Sequence, residues 1–391
     1  MKKLLPLLIA LTLVLGMMPS FAATPAAGIV IDGTRVVSDV APLNRNGSLL
    51  VPVRVIENLG ALITYDGATR KVTVNSAAKV IVLSIGSKTA LVNGVPKTMQ
   101  AAAEIVSGRT MIPLRFIGET MGADVSFANN TVTIKYFTNV RGTVKAGGSS
   151  TVAPIGQSAA DELMKLSPSV NISYASSGSG NGIKGAIDGS FHVGGSSREL
   201  TEAERTKNPT LKVFPIAIDG IAIIVHKDNA VKNLTKEQVK SIFTGETRNW
   251  KDVGGDNAPI FVQTRESTSG TLASFQELVL GKDAAGKLIN VVATATPFNT
   301  NGLLKEAVAG NKNAVGFVSM GYVDETVKAV SVNSIAATTA TLKNGTYPIR
   351  RTLDVITKGL PTGAAAMYID FIRSTKIQAI AEKEGYLTIR D

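Results

Sequence analysis

The chain has 391 residues, 44% hydrophobic and 18% charged, which is ample apolar material for two or three cores and excludes a disordered polymer. Its net charge of +11 is dispersed and only 5% of its residues are aromatic, which favours anionic ligands or surroundings and argues against a nucleic-acid groove of interleaved basic and aromatic side chains. There is no cysteine, so disulfides, thiolate chemistry and a lipid-modified cysteine are excluded; His192 and His226 lack metal-ligand spacing, and no metal or cofactor is expected.

In chain order, Met1-Lys2-Lys3, the apolar run Leu4 to Met18 and the small residues up to Ala22 and Ala23 read as an export signal over residues 1–22. No later stretch approaches the roughly 18 uninterrupted apolar residues of a membrane span. The mature chain is therefore expected outside the cytoplasm.

Residues 23–137 contain an internal duplication. The first copy has Ile29 to Thr34, then Leu50-Val-Pro-Val-Arg54 running to Gly60-Ala61, then Ile63 to Asp66 and Lys71 to Val74. The second has Leu91 to Gly94, then Met111-Ile-Pro-Leu-Arg115 running to Gly122-Ala123, then Val125 to Phe127 and Thr131 to Ile134. Each copy predicts short strands, one helix opened by Pro52 or Pro113 and ended by Gly60 or Gly122, and a closing strand pair. Arg54 and Arg115 are expected to pair within this small α+β unit rather than to bind a ligand. The VPxR/IPxR…GA…VTV/I pattern resembles the copper amine oxidase N-terminal-like stalk domain of secreted Gram-positive proteins. That likeness implies a spacer or wall-contacting module on a Gram-positive envelope; no copper ligands accompany it.

From residue 138 to 391 the pattern alternates between strand and helix. Val144 to Ala146, a helix from Ile155 to Leu166, a strand Val170 to Tyr174, a helix from Gly182 to Ile187 and a strand Phe191 to Val193 predict an α/β sheet with ligands at strand ends. Then come a strand Gly220 to Val225, a helix from Leu234 to Phe243, strands at Val315 to Ser319 and Val327 to Val332, and a last helix from Gly363 to Arg373. Four strand-to-helix turns share one chemistry: Gly147 to Thr151, Ser176 to Gly182, Gly194 to Leu200, and Arg265 to Thr271. Glycines let the backbone approach a ligand, hydroxyls donate without charge, a helix start presents unpaired N–H groups, and Arg265 adds a planar fork of donors. A Gly/Ser turn alone is weak evidence, since Ser and Thr also cap helices. Four in one chain, one of them with Arg265, predict an oxyanion site. None has P-loop spacing.

Gly148-Ser-Ser-Thr-Val-Ala-Pro154, Ser177-Gly-Ser-Gly-Asn-Gly-Ile183, Gly195-Ser-Ser-Arg-Glu-Leu200, Asp219 to Val225, Ile242-Phe-Thr-Gly245 with Asn249-Trp250, and Arg265-Glu-Ser-Thr-Ser-Gly-Thr271 resemble, in this order, the phosphate-binding proteins of ABC importers. The resemblance implies a periplasmic-binding-protein-like fold of two α/β lobes, one of about residues 141–218 and 320–391 and the other 219–319. The chain would cross near Ile216 to Ile221 and return near Phe317 to Gly321. It also implies that Ser150, Thr151, Ser179, Ser197, Arg265, Ser269, Gly270 and Thr271 bind inorganic phosphate, and that a membrane permease is the partner. Where many relatives place an aspartate that takes the proton of phosphate, this chain has Ser197; Asp219 or Glu266 is left to fill that role, with Asp219 preferred. The implied function is binding without catalysis. The alternative is a surface structural or adhesion protein whose stalk does the work; a secreted phosphatase finds no metal cluster and no histidine base near Ser150.

Overall fold

The computed structural model describes residues 27–390, so the expected export signal lies outside the described residues. In the N-terminal unit, strands bury every second side chain: Lys71–Asn75 hides Val72 and Val74, and Val80–Ser84 hides Ile81 and Leu83. The two copies meet at their equivalent strands Ser48–Pro52 and Arg109–Pro113, which pair antiparallel with Val51 opposite Ile112. Each copy also completes the other's sheet. Lys71–Asn75 of the first pairs with Val80–Ser84, which lies between the copies and pairs in turn with Thr89–Val92 of the second, and Thr131–Lys135 of the second pairs in parallel with Gly28–Ile31 of the first.

Both proline-led helices form and end at glycines in the left-handed region, Gly60 at φ 81° and Gly122 at φ 103°. The second, Leu114–Met121, is an α-helix; the first, Val53–Leu59, is a 3-10 helix. The first copy has one residue fewer between its arginine and its glycine, and the larger rise per residue of the 3-10 form spans the same gap with the shorter segment. Arg115 bonds Glu119 and the carbonyl of Val125 within its own copy.

The second unit is built on a ten-stranded mixed sheet. Gly142–Gly148, Val170–Ser176 and Val193–Ser196 run parallel, and Arg350–Lys358 lies antiparallel beside the last of them. One 16-residue strand, Leu211–His226, joins the lobes. Its first part pairs with Arg350–Lys358, and its second part with Ala314–Ser319 and Val327–Val332. The register shifts between Pro215 and Ala217, which accommodates a residue without an N–H inside a sheet. The second lobe's core centres on Phe243, Phe275 and Phe317, the last two stacked at 4.2 Å between centroids.

Several elements differ from their sequence expectation. The third strand is Val193–Ser196 rather than Phe191 to Val193, because His192 already pairs with the Lys145 backbone through its own amide and through Nδ1. The strand expected at Gly220 to Val225 is the second part of the crossing strand. The return crossing expected near Phe317 to Gly321 occurs later. Val327–Val332 pairs with the second part of the crossing strand, and Leu342, Tyr347 and Ile349 lie in the second lobe's core. Residues 320–349 therefore pack with the second lobe, and the chain re-enters the first at Arg350. A helix at Thr375–Lys383 follows the expected Gly363–Arg373.

The N-terminal unit and the first lobe share one hydrophobic cluster, which passes from Ile56 and Leu59 through Tyr136 and Phe137 to Phe371 and Ile372. Polar contacts cross the same seam. The buried Asp370 carboxylate accepts from the Ala77 amide and from the Tyr136 hydroxyl, each at 2.7 Å. The Arg390 guanidinium donates to the carbonyls of Glu57 and Arg373.

Candidate functional site

In the first lobe the glycine turns pack backbone to backbone. Gly148 has φ 127°, and a Cβ there would lie 2.6 Å from Gly182 Cα, so only glycine lets these loops close on each other. The turns place the starts of two helices, Ala153–Leu166 and Ser179–Asp188, side by side. Just ahead of the first, Ser149 Oγ accepts from the amides of Thr151 and Val152. That fixes Ser150 and Thr151 at the helix mouth, both buried. Ser179 Oγ accepts from the Ser197 amide at 3.0 Å and meets Ser197 Oγ at 3.2 Å.

The second lobe brings the strand Phe261–Arg265 and the helix start Gly270–Phe275 against this surface. Ser269 does cap its helix, accepting from the Leu272 amide, and its hydroxyl proton remains to donate elsewhere. Thr271 Oγ1 lies 3.1 Å from Thr151 Oγ1, the Gly180 amide bonds the Thr268 carbonyl at 2.9 Å, and Ser274 Oγ donates to the Ser197 carbonyl. A Cβ on Gly270 would lie 2.7 Å from Ser197 Oγ and nearer still to Ser179 Oγ. The lobes are closed on one another.

Arg265, 2% exposed, is held by the carbonyls of Phe298 and Asn299 and by Asn301 Oδ1, and its Nη2 reaches Ser150 Oγ across the lobes at 3.1 Å. Burial and then the neighbouring Arg351 lower its pKa to about 10, so it stays cationic at neutral pH. Asn301, itself fully buried, donates to both Ser150 Oγ and Thr151 Oγ1.

Asp219 was expected to take a ligand's proton, and its surroundings give it another task. Oδ2 receives two N–H groups of Arg351, at 3.0 and 2.7 Å, Oδ1 receives the Ser319 hydroxyl at 2.8 Å, and the Met320 amide also bonds the carboxylate. A carboxylate offers about four lone-pair positions, and all are taken. Burial raises the Asp219 carboxyl above its ordinary value against the pull of Arg351 and Ser319. Glu266, the other candidate, is exposed beside the Asn299 amide.

Ser150, Thr151, Ser179, Ser197, Gly270 and Thr271 are therefore brought together across the lobes with Arg265, while Ser269 caps the helix that carries Gly270 and Thr271. Sequence reasoning missed Arg351 and Asn301. The only signals were the pair Arg350-Arg351 after Pro348 and the run Asn299-Thr300-Asn301, which also reads as an ordinary helix cap.

Residues 138–376 match the PBP superfamily domain, and residues 30–136 match the copper amine oxidase N-terminal domain. The phosphate-binding protein PstS of Bacillus subtilis is 31% identical over 252 residues, which cover 64% of this chain and 82% of that protein. A Clostridium perfringens structure, described as a phosphate ABC transporter substrate-binding protein with bound phosphate, is 37% identical, has a TM-score of 0.59 and covers 63% of this chain and 100% of that one. An ABC-type phosphate transport receptor from Vibrio cholerae is 33% identical with a TM-score of 0.54, again over 63% of this chain and 100% of its own. The superfamily match spans more than half of the sequence, and the converging turns lie inside it, so the chain belongs to the PBP superfamily and, within it, to the phosphate-binding proteins of ABC importers.

Proposed function

We propose that this protein captures inorganic phosphate between its lobes outside the cytoplasm and delivers it to the permease of an ABC importer, without catalysis. One observation carries the reading: across the lobes Thr151 meets Thr271 hydroxyl to hydroxyl at 3.1 Å, while the adjacent Ser150 receives the buried Arg265 at 3.1 Å. The proposed ligand groups are Ser150, Thr151, Ser179, Ser197, Arg265, Ser269, Gly270 and Thr271, with Asp219 anchoring Arg351 instead of touching the ligand.

Phosphate entering this closed arrangement exchanges hydroxyl–hydroxyl bonds for charge-assisted ones. Those contribute about 1.5–3 kcal/mol each, against roughly 8 kcal/mol for a micromolar complex, so most of their sum offsets desolvation and closure. Donors on both lobes meet the anion together only when the lobes are closed, so ligand selects the closed form. The N-terminal unit shares a core with the first lobe and travels with it, while the second lobe moves against both. Export through residues 1–22 and residence on a Gram-positive envelope complete the reading.

Thermal unfolding tests it. A ligand bound only by the folded state at about a thousand times its dissociation constant stabilises by about 4 kcal/mol, so millimolar phosphate should raise the melting temperature by several degrees. No rise would exclude phosphate as the ligand.

A further inference from the structure

Asp219 and Arg351 are direct partners in register on the two strands that run between the lobes. The ion pair is buried, Arg351 at 8% exposure and Asp219 at none. Arg351 also reaches the cleft, with Nη1 on the Ser197 carbonyl at 3.2 Å and Nη2 on Thr151 Oγ1 at 3.3 Å. It thus touches two residues of the proposed anion site while occupying the one buried carboxylate in contact with that network.

The consequence is chemical. With Asp219 saturated and Glu266 on the surface, among the described residues the groups facing the anion are hydroxyls, amides and guanidinium N–H. A charged carboxylate accepts a proton and repels an oxygen that lacks one. A hydroxyl rotates and serves either kind of oxygen. Ser197 and Ser179 sit 3.2 Å apart as such a pair.

We propose that Arg351, by engaging Asp219, makes this cleft read the shape and double charge of a tetrahedral oxyanion but not its proton, so that sulfate shares the site with phosphate. The inference rests on the phosphate-site reading above and adds Arg351 as the residue that sets its specificity. Arg351 acts here through Asp219 and Thr151, as a positioning residue.

The test is calorimetric competition on the full mature chain, at mildly alkaline pH where phosphate is chiefly a singly protonated dianion. Where no group is built to recognise one hydrogen, discrimination reaches about a hundredfold; a buried polar group built for the purpose gives about ten thousandfold or more. Sulfate is expected to displace phosphate with an affinity less than about a hundredfold weaker, and a larger gap overturns the proposal. Phosphate binding with sulfate excluded would reject this inference alone, whereas neither anion binding would reject the site itself.

Two variants separate the causes. Ser197→Asp places a carboxylate against Ser179 and should widen the phosphate-to-sulfate ratio at least about tenfold. Asp219→Asn should weaken both anions together through the loosened Arg351, with their ratio unchanged. A ratio that shifts toward sulfate in Asp219→Asn would make Asp219 the proton acceptor and overturn the proposal without reference to Ser197.

Discussion

Thr151 and Thr271 come from opposite lobes and stand hydroxyl to hydroxyl at 3.1 Å, and both are buried. Thr151 Oγ1 also receives Asn301 Nδ2 at 2.9 Å and Arg351 Nη2 at 3.3 Å, so one side chain connects a helix start, the crossing strands and the second lobe. Removing that hydroxyl in Thr151→Val keeps the shape and leaves these donors short of an acceptor. Phosphate affinity should fall by about tenfold or more, read by titration, with little change in the far-ultraviolet spectrum.

Gly270→Ala tests closure by shape alone. Gly270 opens the helix Gly270–Phe275 and is absent from the positive-φ residues, so alanine meets no backbone strain there. Its Cβ would lie 2.7 Å from Ser197 Oγ on the other lobe. The melting temperature should hold, or rise slightly, while phosphate affinity falls at least about tenfold because the lobes stop short of contact. An unchanged affinity would mean that the closed contact is not the binding state.

Much of this cleft is legible in the sequence because its chemistry is local. The Gly/Ser/Thr turns that carry Ser150, Ser179, Ser197 and Thr271 stand at strand ends, and their residue types state what they can do before their positions are known. Arg351 and Asn301 carry no such mark. Their roles come from strand register, which places Arg351 opposite Asp219 from 132 residues away. The sequence repeat likewise indicates the strands at Ile29, Leu50, Lys71, Leu91, Met111 and Thr131, but not the strand Val80–Ser84 between the copies, nor that the copies exchange strand partners, which depends on which edges lie free. Asp219 was assigned a ligand role because nothing in its neighbourhood in the chain shows that Arg351 and Ser319 occupy it.

The seam between the N-terminal unit and the first lobe is a second place where sequence-distant groups meet. Asp370 is fully surrounded there, and burial raises its pKa to about 6 against the bonds from Tyr136 and Ala77. The folded form therefore binds this proton more tightly than the unfolded chain, whose value is near 3.8. Its contribution to stability is greatest below that value and is lost as pH rises toward about 6. Asp370→Asn should remove this slope, seen as the difference between variant and parent in melting temperature across that window. Asp370→Ala strands the Ala77 amide and the Tyr136 hydroxyl and should cost about 2–4 kcal/mol below that window and less above it.

Gly60→Ala addresses the same seam through the backbone. Gly60 has φ 81°, and an added Cβ would collide with the Asp370 carbonyl oxygen. Left-handed strain and the clash together should cost at least about 2 kcal/mol and loosen the unit from the lobe. Limited proteolysis near Phe137 to Gly142 should accelerate in the variant. If cleavage is unchanged, the two units are not held by this contact.

The measurement that bears most directly on the central claim is calorimetric titration of phosphate into the mature chain and into Arg265→Ala. The parent should bind one phosphate with a dissociation constant of about a micromolar or below. The variant loses the buried charge and its fork of donors, so binding should weaken by about a hundredfold or more with the fold retained by circular dichroism. Equal affinity in the two proteins, or no heat of binding in the parent, would contradict the account.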